Sequence, residues 1–266
     1  QAGAAAAALT TPAGTRFPPT LSGRSSSSTA AMTDLIPAPP VPRVPVRGGA
    51  TFPVRRIFCV GRNFADHARE MGAAAPASKA ERGTPVFFHK PADAIVTGNA
   101  DVPYPPGTQD LHHEVELVVA LGADAPAGTL ARDDAQALVI AYGVGLDLTR
   151  RDLQAAAKAK GLPWDTGKGF DHSAPVSELV PAADVGALDD LTLTLRVNGG
   201  TRQHGSLRDL IWDVPDILHE LSKLYALKAG DLVFMGTPAG VAALVPGDRF
   251  IASLDDVVTL QGRITA

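Results

Sequence analysis

Glu114 and Glu116, two apart in the run LHHEVELVVALG, are the residues whose type and spacing most directly suggest chemistry in this sequence. The density of Val and Leu around them marks a β-strand buried on at least one face. Side chains alternate across a strand, so both carboxylates project from the same face as a two-pronged oxygen donor. A third acid, Asp147, ends the apolar run AYGVGL. Carboxylates crowded into an apolar setting repel one another and take up protons unless a cation neutralises them, and a divalent ion does this best. Oxygen ligands are hard, which favours Mg²⁺, with Mn²⁺ or Ca²⁺ as substitutes, over zinc. His112 shares the face of the two glutamates and is placed to support a ligand from behind. A solvated strand face is the ordinary alternative for an E-x-E pair, and spacing alone leaves both open.

Other residues could act beside such a cation. His67 and Glu70 stand i, i+3 in ADHAREMG, a spacing that puts a carboxylate against an imidazole on one helix face; a surface ion pair is the alternative. Arg151 and Gln154 share a face of the helix RRDLQAAAKAKG, which starts just after Asp147, and arginine suits bidentate capture of a carboxylate. Lys168 lies between two glycines in GKG, and Thr237 lies in the tight turn GTPAG, which can offer N–H groups and a hydroxyl to an anion. A solvated helix face, an exposed loop lysine and a plain turn are the corresponding ordinary readings. Cys59, the sole cysteine, sits in IFCV and reads as a small apolar core side chain. There is no GxxxxGK[ST] phosphate loop and no serine nucleophile elbow.

These residues need a scaffold, and the chain is long enough for one: 266 residues, 45% hydrophobic and 20% charged. A net charge of −4 gives no positive field for nucleic acid, and no apolar run approaches the roughly 20 residues that span a bilayer. Residues 1–31 are rich in Ala, Ser, Thr and Pro, with Arg16 and Arg24 and no acid. They are expected to be a disordered leader of upstream or cloning origin ahead of a natural start at Met32, in a cytoplasmic protein; a transit peptide, and hence an organelle, is the alternative. Residues 32–54, with five prolines between Leu35 and Arg47, form a connector or edge segment, and 55–266 a single catalytic domain. RRIFCVG, PVFFHKPADAIV, the E-x-E run and AYGVGLDLT read as extended, and DDAQALVI as a short helix. Thr149 is the expected cap of the helix RRDLQAAAKAKG and Gly161 its stop. Asn198-Gly199 marks a hairpin within LTLTLRVNGGTRQHG. DVPDILHELSKLYAL is an amphipathic helix, and strands outnumber helices without alternating with them. The fold class is therefore α+β, mainly β.

The segments VGRNFADHAREMG, FFHKPADAI, DLHHEVELVVALG, GLDLTRRDLQ, KGLPWDTGKGFD and LVFMGTPAGV, in this order, resemble the fumarylacetoacetate hydrolase family from about Arg55 to the C-terminus. The shorter single-domain members, fumarylpyruvate hydrolases and acylpyruvases, are most similar. The resemblance implies a distorted β-roll of several mixed sheets with short flanking helices, assembled as a homodimer. It implies Mg²⁺ on Glu114, Glu116 and Asp147, a water-activating His67 partnered by Glu70, an active-site Lys168, and substrate contacts from Arg151, Gln154 and Thr237. The implied reaction is hydrolysis of a C–C bond in a β-diketo acid, fumarylpyruvate in particular, to pyruvate and a carboxylic acid, within gentisate-type aromatic catabolism. Oxaloacetate decarboxylation, an isomerase or decarboxylase role in the homoprotocatechuate pathway, and a non-catalytic carboxylate-binding protein are the alternatives. Phe64, His89 and Met235 depart from the family's usual Tyr, Met or Leu, and Thr, leaving room for a different substrate preference.

Overall fold

The apolar run around the two glutamates sets the architecture. In the computed structural model, which describes residues 34–70 and 81–266, Val115–Leu121 is a strand buried at all seven positions. Its alternate side chains enter two cores: Leu117, Val119 and Leu121 one, Val118 and Ala120 the other. A strand covered on both faces needs neighbours on both edges, and this one pairs antiparallel with Val139–Leu146 on one side and Asp231–Phe234 on the other. Beyond them the six-stranded sheet runs to Val180–Pro181 at one edge and through Arg56–Gly61 to Val86–Lys90 at the other. Asp231–Phe234 and Arg56–Gly61 pair in parallel, joining distant parts of the chain.

A second sheet of five strands is built around the hairpin Thr192–Val197/Gly200–Ser206. Asn198 and Gly199 both take positive φ, 53° and 84°, as a two-residue hairpin turn requires. Here burial alternates, as in Arg249–Leu254, so one face meets solvent. The fold is thus mainly β, with mixed sheets and short helices at Ala65–Glu70, Arg151–Lys160, Asp165–Lys168 and Val214–Ser222. No helix among the described residues is long and apolar enough to cross a membrane.

Residue contacts separate 1–39 from 40–266. Within the second unit, the proline-rich stretch forms a hairpin, Arg43–Val46 with Ala50–Pro53, whose Val44 and Phe52 enter the second core. The expected leader at 1–31 and the end of the ADHAREMG segment lie outside the described residues.

Three local expectations are corrected. The extended run at 111–121 is broken: Leu111–His112 leaves to pair with Thr149–Arg150 and Ala243–Leu244, so Glu114 stands at the break and only Glu116 lies within the long strand. Thr149 does not cap the 151–160 helix, because it is buried in a short strand with its hydroxyl engaged elsewhere. DDAQALVI divides into the end of a 3₁₀ helix, Arg132–Leu138, and the start of a strand.

Candidate metal centre and active site

Strand pairing carries the three acids to one point. Glu116 pairs with Gly145 in the sheet, and the Asp147 N–H donates to the Glu114 carbonyl at 2.8 Å, fixing the strand end against the break. One oxygen from each of Glu114, Glu116 and Asp147 lies within 4.8 Å of the others, and all three residues are buried.

Fixed cations meet most of this charge. Lys168 Nζ donates to Glu114 Oε2 at 2.7 Å, Asp147 Oδ2 at 2.5 Å and Thr149 Oγ1 at 2.8 Å, using every proton of its ammonium. Arg151 donates to Glu114 Oε1 at 2.5 Å, to Gln154 Oε1 at 2.6 Å and to His112 Nδ1 at 3.4 Å. The ring of His112 thus supports Arg151, and its Nε2 lies 2.8 Å from Asp110 Oδ1, so both ring nitrogens are engaged. Lys90 Nζ, which donates to the Leu148 and Lys168 carbonyls, stands 2.8 Å from Asp147 Oδ1 and pairs with it.

The carboxyls respond oppositely to this layout. Burial alone would raise the Glu114 pKa, but Lys168 and Arg151 outweigh it and hold the group far below the usual carboxylate range. Burial would lower Lys168, and Asp147 and Glu114 reverse that, keeping it firmly protonated. Glu116 is raised well above its ordinary value by burial, then by Asp147 and Glu114, and its one short polar contact is the Gly236 N–H at 2.7 Å. The protein's own cations therefore compensate two acids and leave the third wanting charge. With three hard oxygen donors and a buried Glu116 that no fixed cation meets among the described residues, the cluster fits a divalent cation.

His67 faces the same place. Its Nδ1 lies 3.0 Å from Glu70 Oε2, and the Glu70 carboxylate also accepts the Gly240 N–H at 3.1 Å. With Nδ1 donating to the carboxylate, Nε2 carries the lone pair. Of the nine candidate residues, eight line one cavity of about 30 Å³: His67, Glu114, Glu116, Asp147, Arg151, Gln154, Lys168 and Thr237. Glu70 stands behind His67. A second cavity of about 340 Å³ shares Phe88 and Lys168 with the first.

The ordinary reading of Lys168 fails because it is a buried residue ending a four-residue helix. Gly167 serves packing: a Cβ there would come within 3.0 Å of the Gln154 backbone nitrogen. Sequence reasoning missed Gln203. Its Oε1 accepts from Val115 N–H at 3.0 Å, which fixes the amide, and its Nε2 donates to Thr237 Oγ1 and the Pro238 carbonyl, both at 2.8 Å. Thr237 therefore keeps its own hydroxyl proton to donate. His113 donates from Nδ1 to the same Gln203 oxygen at 2.9 Å, and burial lowers its pKa, so it is a neutral structural ring. Lys90 was also missed, although a lysine ending the apolar strand VFFHK was a visible signal. So was Lys158, one helical turn beyond Gln154 on the face it shares with Arg151.

With this geometry in view, known proteins can be compared. The family model for the fumarylacetoacetate (FAA) hydrolase C-terminal region matches residues 56–265. An oxaloacetate tautomerase of Escherichia coli (strain K12), YcgM, is 40% identical over 205 residues, covering 77% of this chain and 90% of that protein. A fumarylpyruvate hydrolase of a Ralstonia species is 41% identical over 175 residues, covering 66% of this chain and 90% of that one. The crystal structure of Pseudomonas aeruginosa fumarylpyruvate hydrolase in complex with Mn²⁺ and pyruvate superposes with a TM-score of 0.81 at 42% identity, over 88% of this chain and 99% of that chain.

Proposed function

The chain belongs to the fumarylacetoacetate hydrolase family, and from that premise we propose that it hydrolyses a C–C bond of a β-diketo acid, fumarylpyruvate, to fumarate and pyruvate. The observation that carries this reading is the convergence, in one cavity, of three acids fit for a divalent ion with a histidine whose Nε2 is free to take a proton. Glu114, Glu116 and Asp147 hold the ion, which when bound supplies Lewis-acid stabilisation of an enolate oxygen. The ion is Mg²⁺, with Mn²⁺ able to replace it, as the Mn²⁺ complex of the Pseudomonas aeruginosa hydrolase suggests.

The chain's own groups do the rest. Arg151, Gln154 and the Thr237 hydroxyl orient the carboxylate next to the 2-oxo group. His67 Nε2 removes a proton from water as it attacks C4, and Glu70 stabilises the resulting imidazolium through Nδ1–H. The C3–C4 bond breaks, the electron pair passes to the pyruvate enolate near the Lys168 ammonium, and C3 regains a proton. One water is consumed: its OH ends on the new carboxyl carbon and its proton on C3. The neighbouring cavity supplies room for the acyl arm that the first lacks. The assembly is a homodimer, which sedimentation of the purified chain tests.

A second reading rests on the E. coli relative, a tautomerase of oxaloacetate. Keto–enol exchange needs a proton moved at C3 and no attacking water. This differs from the decarboxylation expected as an alternative, in which CO₂ would leave. Metal-stripped protein should be incubated with fumarylpyruvate, acetylpyruvate and oxaloacetate, with and without Mg²⁺ or Mn²⁺, following pyruvate release and enol absorbance. Metal-dependent pyruvate release fastest from fumarylpyruvate supports hydrolysis; enol exchange of oxaloacetate without pyruvate release supports the second reading and overturns the first.

A further inference from the structure

Three acids in the cavity wall face four cations: Arg62, Arg151, Lys158 and Lys168. Arg151 and Lys168 are tied to the acids by short hydrogen bonds. Arg62 and Lys158 are not: among the described residues neither has a carboxylate partner, and the residues outside that set, 1–33 and 71–80, contain no Asp or Glu. Lys158 shares a helix face with Arg151 and Gln154, half-buried with its ammonium 4.8 Å from the Trp164 ring centroid. Burial, then Arg151 and Arg62, push its pKa down to about 8, so this corner is short of negative charge. Arg62 approaches from the other side, at the end of the Arg56–Gly61 strand, with a positive φ of 60°. A non-glycine residue held in the left-handed region at a cavity mouth is uncommon, and here it points the chain into the turn that carries His67.

A substrate with one carboxylate, bound beside Arg151, would leave both cations without a paired carboxylate, and a bound divalent ion would make the wall more positive still. We propose that Arg62 and Lys158 form the subsite for a second carboxylate, at the far end of the substrate, and that they select dicarboxylic over monocarboxylic oxo acids. This rests on the functional reading above and deepens it by naming the residues that read the distal group. Arginine offers a bidentate fork and lysine a compact charge, a pair suited to one carboxylate held at a half-exposed rim.

The test uses fumarate and crotonate, which have the same four-carbon alkene skeleton and differ in the second carboxylate. Their affinities for the Mg²⁺-loaded full chain are measured by calorimetry in wild type, Arg62→Gln, Lys158→Gln, the double variant and Lys158→Arg. Wild type is expected to prefer fumarate by about tenfold or more, roughly the worth of one charge-assisted contact. The preference should shrink in each single variant, vanish in the double and largely survive in Lys158→Arg. Equal affinity of wild type for the two acids, or a preference that the double variant keeps, overturns the subsite. Binding is independent of turnover, so a fumarate preference lost in the double variant, in a protein that hydrolyses no diketo acid, sustains the subsite while the hydrolase reading falls. For a protein that does turn over, the ratio of kcat/KM for fumarylpyruvate to that for acetylpyruvate should fall in step with the binding preference, mainly through KM.

Discussion

The two large sheets handle polar side chains in opposite ways. In the five-stranded sheet burial alternates, so Arg196, Arg249 and Ile251 can meet water without a partner inside the protein. The six-stranded sheet is covered on both faces, and its middle strand has no solvent side on which to place Glu116. A charge in such a strand must be compensated by fixed groups or by an ion. Chemistry therefore gathers at the sheet that can least tolerate charge, since a dry setting strengthens every electrostatic contact within it. Gln203 is the exception that links the two, a fully buried amide on the outer sheet that reaches Val115 and Thr237.

The contrast can be broken hardest at Lys168. Lys168→Met leaves Glu114 and Asp147 buried without their shared cation. Metal-free protein should lose about 3–5 kcal/mol in denaturant unfolding, and Mg²⁺ should raise the Tm of the variant more than that of wild type. A smaller, chemical effect is expected at His67. His67→Ala should cut hydrolysis by about 10²–10⁴-fold in steady-state assays while sparing metal affinity, and equal loss of both would contradict its assignment as base. Gln203→Leu removes the bridge between the sheets and strands the Val115 N–H, for about 1–3 kcal/mol of stability by urea titration, with a weaker hold on the substrate carboxylate through Thr237. Ile251→Thr, on the open face of the outer sheet, should shift stability by no more than about 0.5 kcal/mol; a loss of several kcal/mol would show that this face is covered in solution.

Much of this contrast was legible beforehand, and the limits were physical. Val115–Leu121 announced itself as a strand because dense Val and Leu content marks burial on at least one face, and Asn198-Gly199 as a turn because few residue pairs accept two positive φ values. The chemistry of Glu114, Glu116 and Asp147 followed from their type. Their convergence did not, since it depends on a strand break at 113–114 enforced by partners 33 or more positions away. Thr149 carried the right residue type for a helix cap and lost that role to Lys168, a competitor no local window contains. Gln203 looked like any polar residue on an alternating strand, because its burial is set by Pro238 and Val115 rather than by its own neighbours. Arg62 and Lys158 stand out because among the described residues neither has a carboxylate partner, a property only a structure can display.

The parallel pairing of Arg56–Gly61 with Asp231–Phe234 also bears on how the protein is made. It joins residues as far apart as Arg56 and Asp231, which are 175 positions apart. Such a contact forms only after a long loop has closed, so it comes late. On the ribosome the His67–Glu70 pair and both glutamates emerge well before Gly236, which binds Glu116, and Gly240, which binds Glu70. A nascent chain halted near residue 230 thus holds the three acids and the His67–Glu70 pair without the turn that binds Glu116 and Glu70. The geometry of the site thus waits for the turn at 236–240, and chains that have not reached it carry the site's charges still exposed to water.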